Sequence, residues 1–65
     1  MAHDEVMRLV KDLPESRRLL YVESPAPGSV RYVFVNKVIN GERGALRHVK
    51  SVLNAGRRFS GVTDT

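Results

Sequence analysis

Two strand-like runs joined by a proline-rich turn constrain this chain more than any other feature. Arg18 to Ser24 is rich in Leu, Tyr and Val, and Val30 to Ile39 opens with Val30, Tyr32, Val33, Phe34 and Val35 among its first six positions. β-branched and aromatic residues at this density suit a pleated, half-buried surface. Pro25-Ala26-Pro27-Gly28 lies between the runs. Proline presets φ and glycine accepts the left-handed region, so the segment suits an antiparallel hairpin loop. A four-residue loop would pair Ser24 with Ser29 and Tyr21 with Tyr32. Side chains alternate along a strand, so that register sorts the residues onto two faces. One face would carry Leu19, Tyr21, Glu23, Val30, Tyr32 and Phe34, and the other Arg18, Leu20, Val22, Arg31, Val33, Val35 and Ile39.

A lone hairpin is marginal in water and needs helices across it. The flanks supply two. Val6, Leu9, Val10 and Leu13 recur at helical spacing, predicting a helix from about Glu5 to Asp12 with Asp4 as its N-cap. Pro14 should end it, and Asp12-Leu13-Pro14-Glu15 also resembles a second helix start. A short helical turn at 14 to 17 satisfies both readings. Asn40-Gly41 signals a turn. Beyond it Ala45, Leu46, Val49, Val52 and Leu53 form a helical stripe, predicting a second helix from Glu42 or Gly44 to Ala55, with Gly56 as its glycine cap. Arg57 to Val62 is a candidate short third strand near the C-terminus, with Phe59 and Val62 folding back on the core. Residues 63 to 65 are expected to fray.

The expected fold is therefore α+β: a single domain over residues 1 to 65, ordered α-β-β-α, with two amphipathic helices on an antiparallel hairpin. Both sheet faces read as largely apolar. Helices on one side would leave the other for a ligand or a second chain. A homodimer would enlarge the core of so short a chain.

At 65 residues, 42% hydrophobic and 28% charged, the composition is that of a globular domain. With no cysteine, disulfide and thiolate chemistry are excluded. Two histidines, His3 and His48, are too few for a histidine-rich metal site, so no metal or other cofactor is expected. No apolar run reaches the roughly 20 residues of a membrane-spanning helix, no membrane association is expected, and no export signal pattern opens the chain. A cytoplasmic setting fits these absences.

Charge points to partners. Eleven Lys and Arg against seven Asp and Glu give a net charge of +4, and eight of the eleven bases are arginine. Residues 1 to 15 carry 2 − 4 = −2, whereas residues 16 to 65 carry 9 − 3 = +6. A basic domain favours nucleic acid or another polyanion, and arginine suits bidentate contacts to phosphate or carboxylate. On the second predicted helix, Arg43, Arg47, Lys50, Asn54 and Arg57 recur at intervals of four and three, within about 80° of arc, and Arg58 extends the patch. The ridge lies beside the apolar stripe. Arg43, Arg47, Lys50, Arg57 and Arg58 are thus candidate phosphate contacts, giving affinity with little sequence choice. An acidic protein partner would suit the same side chains. The simpler reading of the last bases is that they complement the helix dipole.

Leu19, Tyr21, Tyr32 and Phe34 are candidate interface residues. Aromatics on an exposed sheet flanked by arginines can stack unpaired bases, while the simpler reading makes Tyr32 and Phe34 core. His48 reads as a surface histidine without an orienting partner, and no nucleophile elbow, P-loop, dinucleotide fingerprint or calcium loop is present. No catalytic residue is nominated, and the chain is not expected to be an enzyme.

Gly44-Ala45-Leu46-Arg47 through Leu53-Asn54-Ala55-Gly56 resembles the last helix of small HicA-type messenger-RNA interferase toxins. Gly28-Ser29 stands where that family places Gly-Ser-His. Val30 replaces the catalytic histidine, and the interval to the last helix reads as too short for that family's third strand. No activity is carried over on this resemblance.

Overall fold

A computed structural model describes the backbone of residues 1–64 and the side chains of residues 1–56. Helix α1 spans Ala2–Leu9, followed by single 3-10 turns at Val10–Asp12 and Glu15–Arg17. Strands β1 (Leu19–Glu23), β2 (Arg31–Phe34) and β3 (Val38–Asn40) form one antiparallel sheet in the order β1-β2-β3. Helix α2 runs Glu42–Asp64. The fold is the expected small α+β domain, with a third strand in the order α-β-β-β-α.

That third strand is not where the sequence suggested. The chain over 57 to 62 continues α2, and the backbone of Gly56 stays helical without a positive φ. The third strand comes from the far end of the long run Val30 to Ile39. That run breaks at Val35-Asn36-Lys37, where the Phe34 N–H donates to the Lys37 carbonyl at 2.7 Å and reverses the chain. The apolar pairs Phe34-Val35 and Val38-Ile39 on either side of Asn36-Lys37 hid the turn. The interval before α2 therefore does hold a strand, of three residues. The expected contacts of Phe59 and Val62, and the end of the chain at Thr65, lie outside the described residues.

Helix α1 begins earlier than its apolar stripe. Met1 holds the N-cap position, and its carbonyl accepts the Glu5 N–H at 3.2 Å, so Asp4 is a first-turn residue where its charge complements the dipole. Leu13 and Pro14 are extended, and the turn over Glu15–Arg17 closes with the Arg17 N–H on the Pro14 carbonyl at 2.9 Å. The short helical turn expected after Pro14 is present.

The hairpin register is shifted by one residue from the sequence expectation. Leu19 pairs with Phe34 as the four-residue loop predicts, but a bulge between Leu19 and Tyr21 then sets Tyr21 opposite Val33, Val22 opposite Tyr32 and Glu23 opposite Arg31. A bulge inserts one residue and moves everything beyond it to the other face. The connection from Glu23 to Arg31 accordingly has 30 − 23 = 7 residues. Val22, Tyr32 and Ile39 form one row across the three strands, joined on the same face by Leu19 and Phe34. Tyr21 and Glu23, expected beside Tyr32, face the other way.

Both helices cover that inner face. Val6 from α1, Tyr32 and Phe34 from β2, and Ala45 and Val49 from α2 are buried and form the core, with Leu9, Val10, Leu13, Leu19, Val22, Val30, Ile39, Leu46 and Leu53 packed around it. Two glycines set α2 on the sheet. Gly41 has φ +93, its N–H reaches the Val30 carbonyl at 2.8 Å, and its carbonyl accepts the Ala45 N–H. A residue with a side chain rarely adopts that φ. At Gly44 a Cβ would come within 3.1 Å of Ile39 Cγ2, so a glycine there lets α2 press on β3.

The outer face has no cover among the described residues. Tyr21, Val33 and Val38 form an apolar row across the strands, with Tyr21 and Val38 more than half exposed. Beside it runs a polar row in which Arg31 reaches Glu23 Oε1 at 3.0 Å and Asn40 Oδ1 at 3.2 Å.

Candidate nucleic-acid interface

The first turns of α2 bring the predicted ridge together. An α-helix advances about 1.5 Å per residue, so Arg43 to Asn54 covers about 16 Å. Arg43, Arg47, Lys50 and Asn54 are all exposed. With Leu46 and Ser51 they line one shallow groove of about 510 Å³ along the helix. The residues lie on one side because the opposite arc of the helix, with Ala45 and Val49, is buried in the core. Arg43 and Arg47, four residues apart, repel each other mildly, and an anion lying across both relieves the cost. The side chains of Arg57 and Arg58, the other two candidate contacts, lie outside the described residues.

The structure adds a carboxylate that the sequence did not reveal. Glu5 of α1 places Oε2 3.3 Å from Lys50 Nζ. Glu5 and Leu9 line a second, smaller groove with Lys50, Leu53 and Asn54, so the ridge is bordered on the α1 side by an acid. Both side chains are partly exposed, and such a pair contributes at most about 1 kcal/mol to stability. Its position follows from how α1 docks on α2, which no local sequence pattern encodes.

The four interface candidates divide between the two sides of the sheet. Tyr32 and Phe34 are buried and Leu19 packs against them, whereas Tyr21 is exposed on the outer face. The hydroxyl of Tyr32 shares a 2.6 Å hydrogen bond with His3 Nδ1, which ties the start of α1 to the sheet. Burial, and secondarily the Glu42 carboxylate, push the Tyr32 hydroxyl above its ordinary range.

His48 is not the surface residue its sequence position suggested. Its ring stands edge-on to Phe34, with centroids 4.9 Å apart, and its Nε2 is buried without a hydrogen-bond partner. Burial first, then the nearby charges of Lys37 and Arg17, hold its pKa below the usual histidine value. The ring is thus kept neutral as a packing element. Among the described residues no carboxylate is hydrogen-bonded to it and no group of three His, Cys, Asp or Glu is placed to hold a metal ion. No helix among them is long and apolar enough to cross a membrane.

No family model, no curated protein and no solved structure matches the chain. At the one position where the HicA-type resemblance would need a histidine, Val30 packs against the core and its carbonyl receives Gly41.

Proposed function

We propose that this protein binds the phosphate backbone of nucleic acid through the exposed face of α2. Arg43, Arg47 and Lys50 make the contacts, and Arg57 and Arg58 continue them in the sequence. The observation that carries the reading is one groove lined by Arg43, Arg47, Lys50 and Asn54 on a helix whose opposite side is core. Phosphate contacts position a protein without reading bases, and Asn54 is the uncharged side chain in this row that could pair with an adenine edge. The expected binding is therefore tolerant of sequence and steeply dependent on salt. At about −0.9 per phosphate neutralised, two to five contacts should make the logarithm of the affinity for duplex fall with the logarithm of salt at a slope of about −1.8 to −4.5. No catalytic step is assigned to the site.

Fluorescence anisotropy on labelled mixed-sequence oligonucleotides, single-stranded and duplex, tests this. Wild-type protein should bind at low salt with that slope, and Arg43→Glu with Arg47→Glu should remove the binding while leaving the circular dichroism spectrum unchanged. Absence of wild-type binding at low salt contradicts the reading, as does an unchanged slope in the double variant. Competition by an acidic polypeptide but not by oligonucleotide would move the same side chains to an acidic protein partner.

A second reading rests on the row Tyr21, Val33 and Val38, which offers a second copy of the chain an apolar contact. Three strands of up to five residues have a projected face of about 14 by 16 Å. That is small beside the roughly 800 Å² each partner gives to a standard interface. Self-association through this face is accordingly weak, and sedimentation velocity over a concentration series measures it.

A further inference from the structure

Glu5 and Lys50 lie in separate helices, and buried apolar side chains beside each already join those helices through the core. Val6 is fully buried next to Glu5, Val49 is fully buried next to Lys50, and the Tyr32–His3 hydrogen bond fixes the start of α1. Glu5 itself is held in place by this packing, with its N–H on the Met1 carbonyl. Its carboxylate lies beside the cationic row, 3.3 Å from Lys50 Nζ. A carboxylate at that distance from an ammonium occupies the place a phosphate oxygen would take. Among the described residues Arg43 and Arg47 form no ion pair.

We infer that Glu5 is a built-in competitor for Lys50, an internal stand-in for phosphate that lowers the affinity of the α2 face for nucleic acid. The inference rests on the phosphate-binding reading of that face. Backbone phosphates meet Arg43 and Arg47 directly, along the side of α2 that carries Ser51. Lys50 joins them only by exchanging Glu5 for phosphate, and the exchange releases little net counterion because the lysine was already neutralised. The ridge thus behaves as if it had one contact fewer than its sequence provides. Asp4 is the natural control: it is exposed, one residue away, carries the same charge and forms no ion pair among the described residues.

The test compares Glu5→Gln, Asp4→Asn and wild type by anisotropy across a salt series on the same duplex. Both variants raise the net charge by one, but only Glu5→Gln frees Lys50. The expected result is that Glu5→Gln binds about three-fold tighter at low salt and steepens the log–log salt slope by about 0.9, whereas Asp4→Asn leaves the slope unchanged. Adding Lys50→Gln to Glu5→Gln should return the slope to the wild-type value. Equal slopes for Glu5→Gln and Asp4→Asn, with wild type binding, overturn the competitor role and leave the phosphate-binding reading standing. No binding by wild type or Glu5→Gln at low salt overturns both. Amide spectra of each variant confirm that α1 remains docked.

Discussion

Helices α1 and α2 share one core and do opposite things with their outer surfaces. Helix α1 has eight residues, too few to be stable alone in water. It is held by Val6 in the core and by His3 on the buried Tyr32 hydroxyl. Helix α2 has 23 residues and buries Ala45 and Val49. Its cationic row starts beside the end of β3 at Arg43 and continues along the helix to Lys50. The first turn of α1 carries Asp4 and Glu5, with Arg8 in its last turn, whereas α2 presents Arg43, Arg47 and Lys50, and the opposite charges meet at Glu5 and Lys50. The short helix thus supplies both cover for the core and a carboxylate beside the cationic row of the long one.

Removing the shared core should destroy the difference altogether. Phe34→Ala is expected to cost about 3–5 kcal/mol, comparable to the whole stability a core of this size supplies. The thermal transition should be lost, and a melt within a few degrees of wild type would show that the helices do not depend on one core. Acid should act next, through α2. The folded pKa of His48 lies below its unfolded value near 6.5, because burial and the Lys37 and Arg17 charges disfavour the imidazolium. The unfolded chain then takes up the proton before the folded one does. Stability is full above about pH 6.5 and declines as the pH falls from there toward the folded pKa. His48→Leu should flatten that decline in urea titrations across pH, and an undiminished decline would assign it to other groups.

A smaller effect separates the helices. Tyr32→Phe removes the hydroxyl from His3 and should cost about 1 kcal/mol, with faster hydrogen exchange at the start of α1 and little change in α2. Uniform acceleration in both would mean the two helices open as one unit. The smallest effect is expected on the uncovered face. Tyr21→Thr should change stability by less than about 0.5 kcal/mol and leave the sedimentation coefficient unchanged in dilute solution. A larger, concentration-dependent loss would mean that a second copy covers Tyr21.

The same two helices explain what could be read from the sequence. The stripe of Ala45, Leu46, Val49, Val52 and Leu53 and the row of Arg43, Arg47, Lys50 and Asn54 are set by helical period alone, so α2 was legible as far as Ala55 with its basic face, whereas its continuation through Gly56 to Asp64 was not. Strand β1 and the start of β2 were legible as elements and not as faces, and β3 was read as a continuation of β2. A single bulge after Leu19 moved Tyr21 away from Tyr32, and residue types do not mark a bulge. The turn at Val35-Asn36-Lys37 was masked by apolar residues on both sides. Glu5 beside Lys50 and His48 edge-on to Phe34 depend on docking across the domain, and no short-range pattern carries that information.

The most direct measurement is an amide-shift NMR titration of the labelled protein with mixed-sequence oligonucleotide, at low and at physiological salt. Salt-sensitive shifts concentrated from Arg43 to Asn54, with a lesser response at Glu5 and none across Tyr21, Val33 and Val38, are the predicted result. Shifts confined to the outer sheet face, or no shifts at low salt, would contradict phosphate binding by α2.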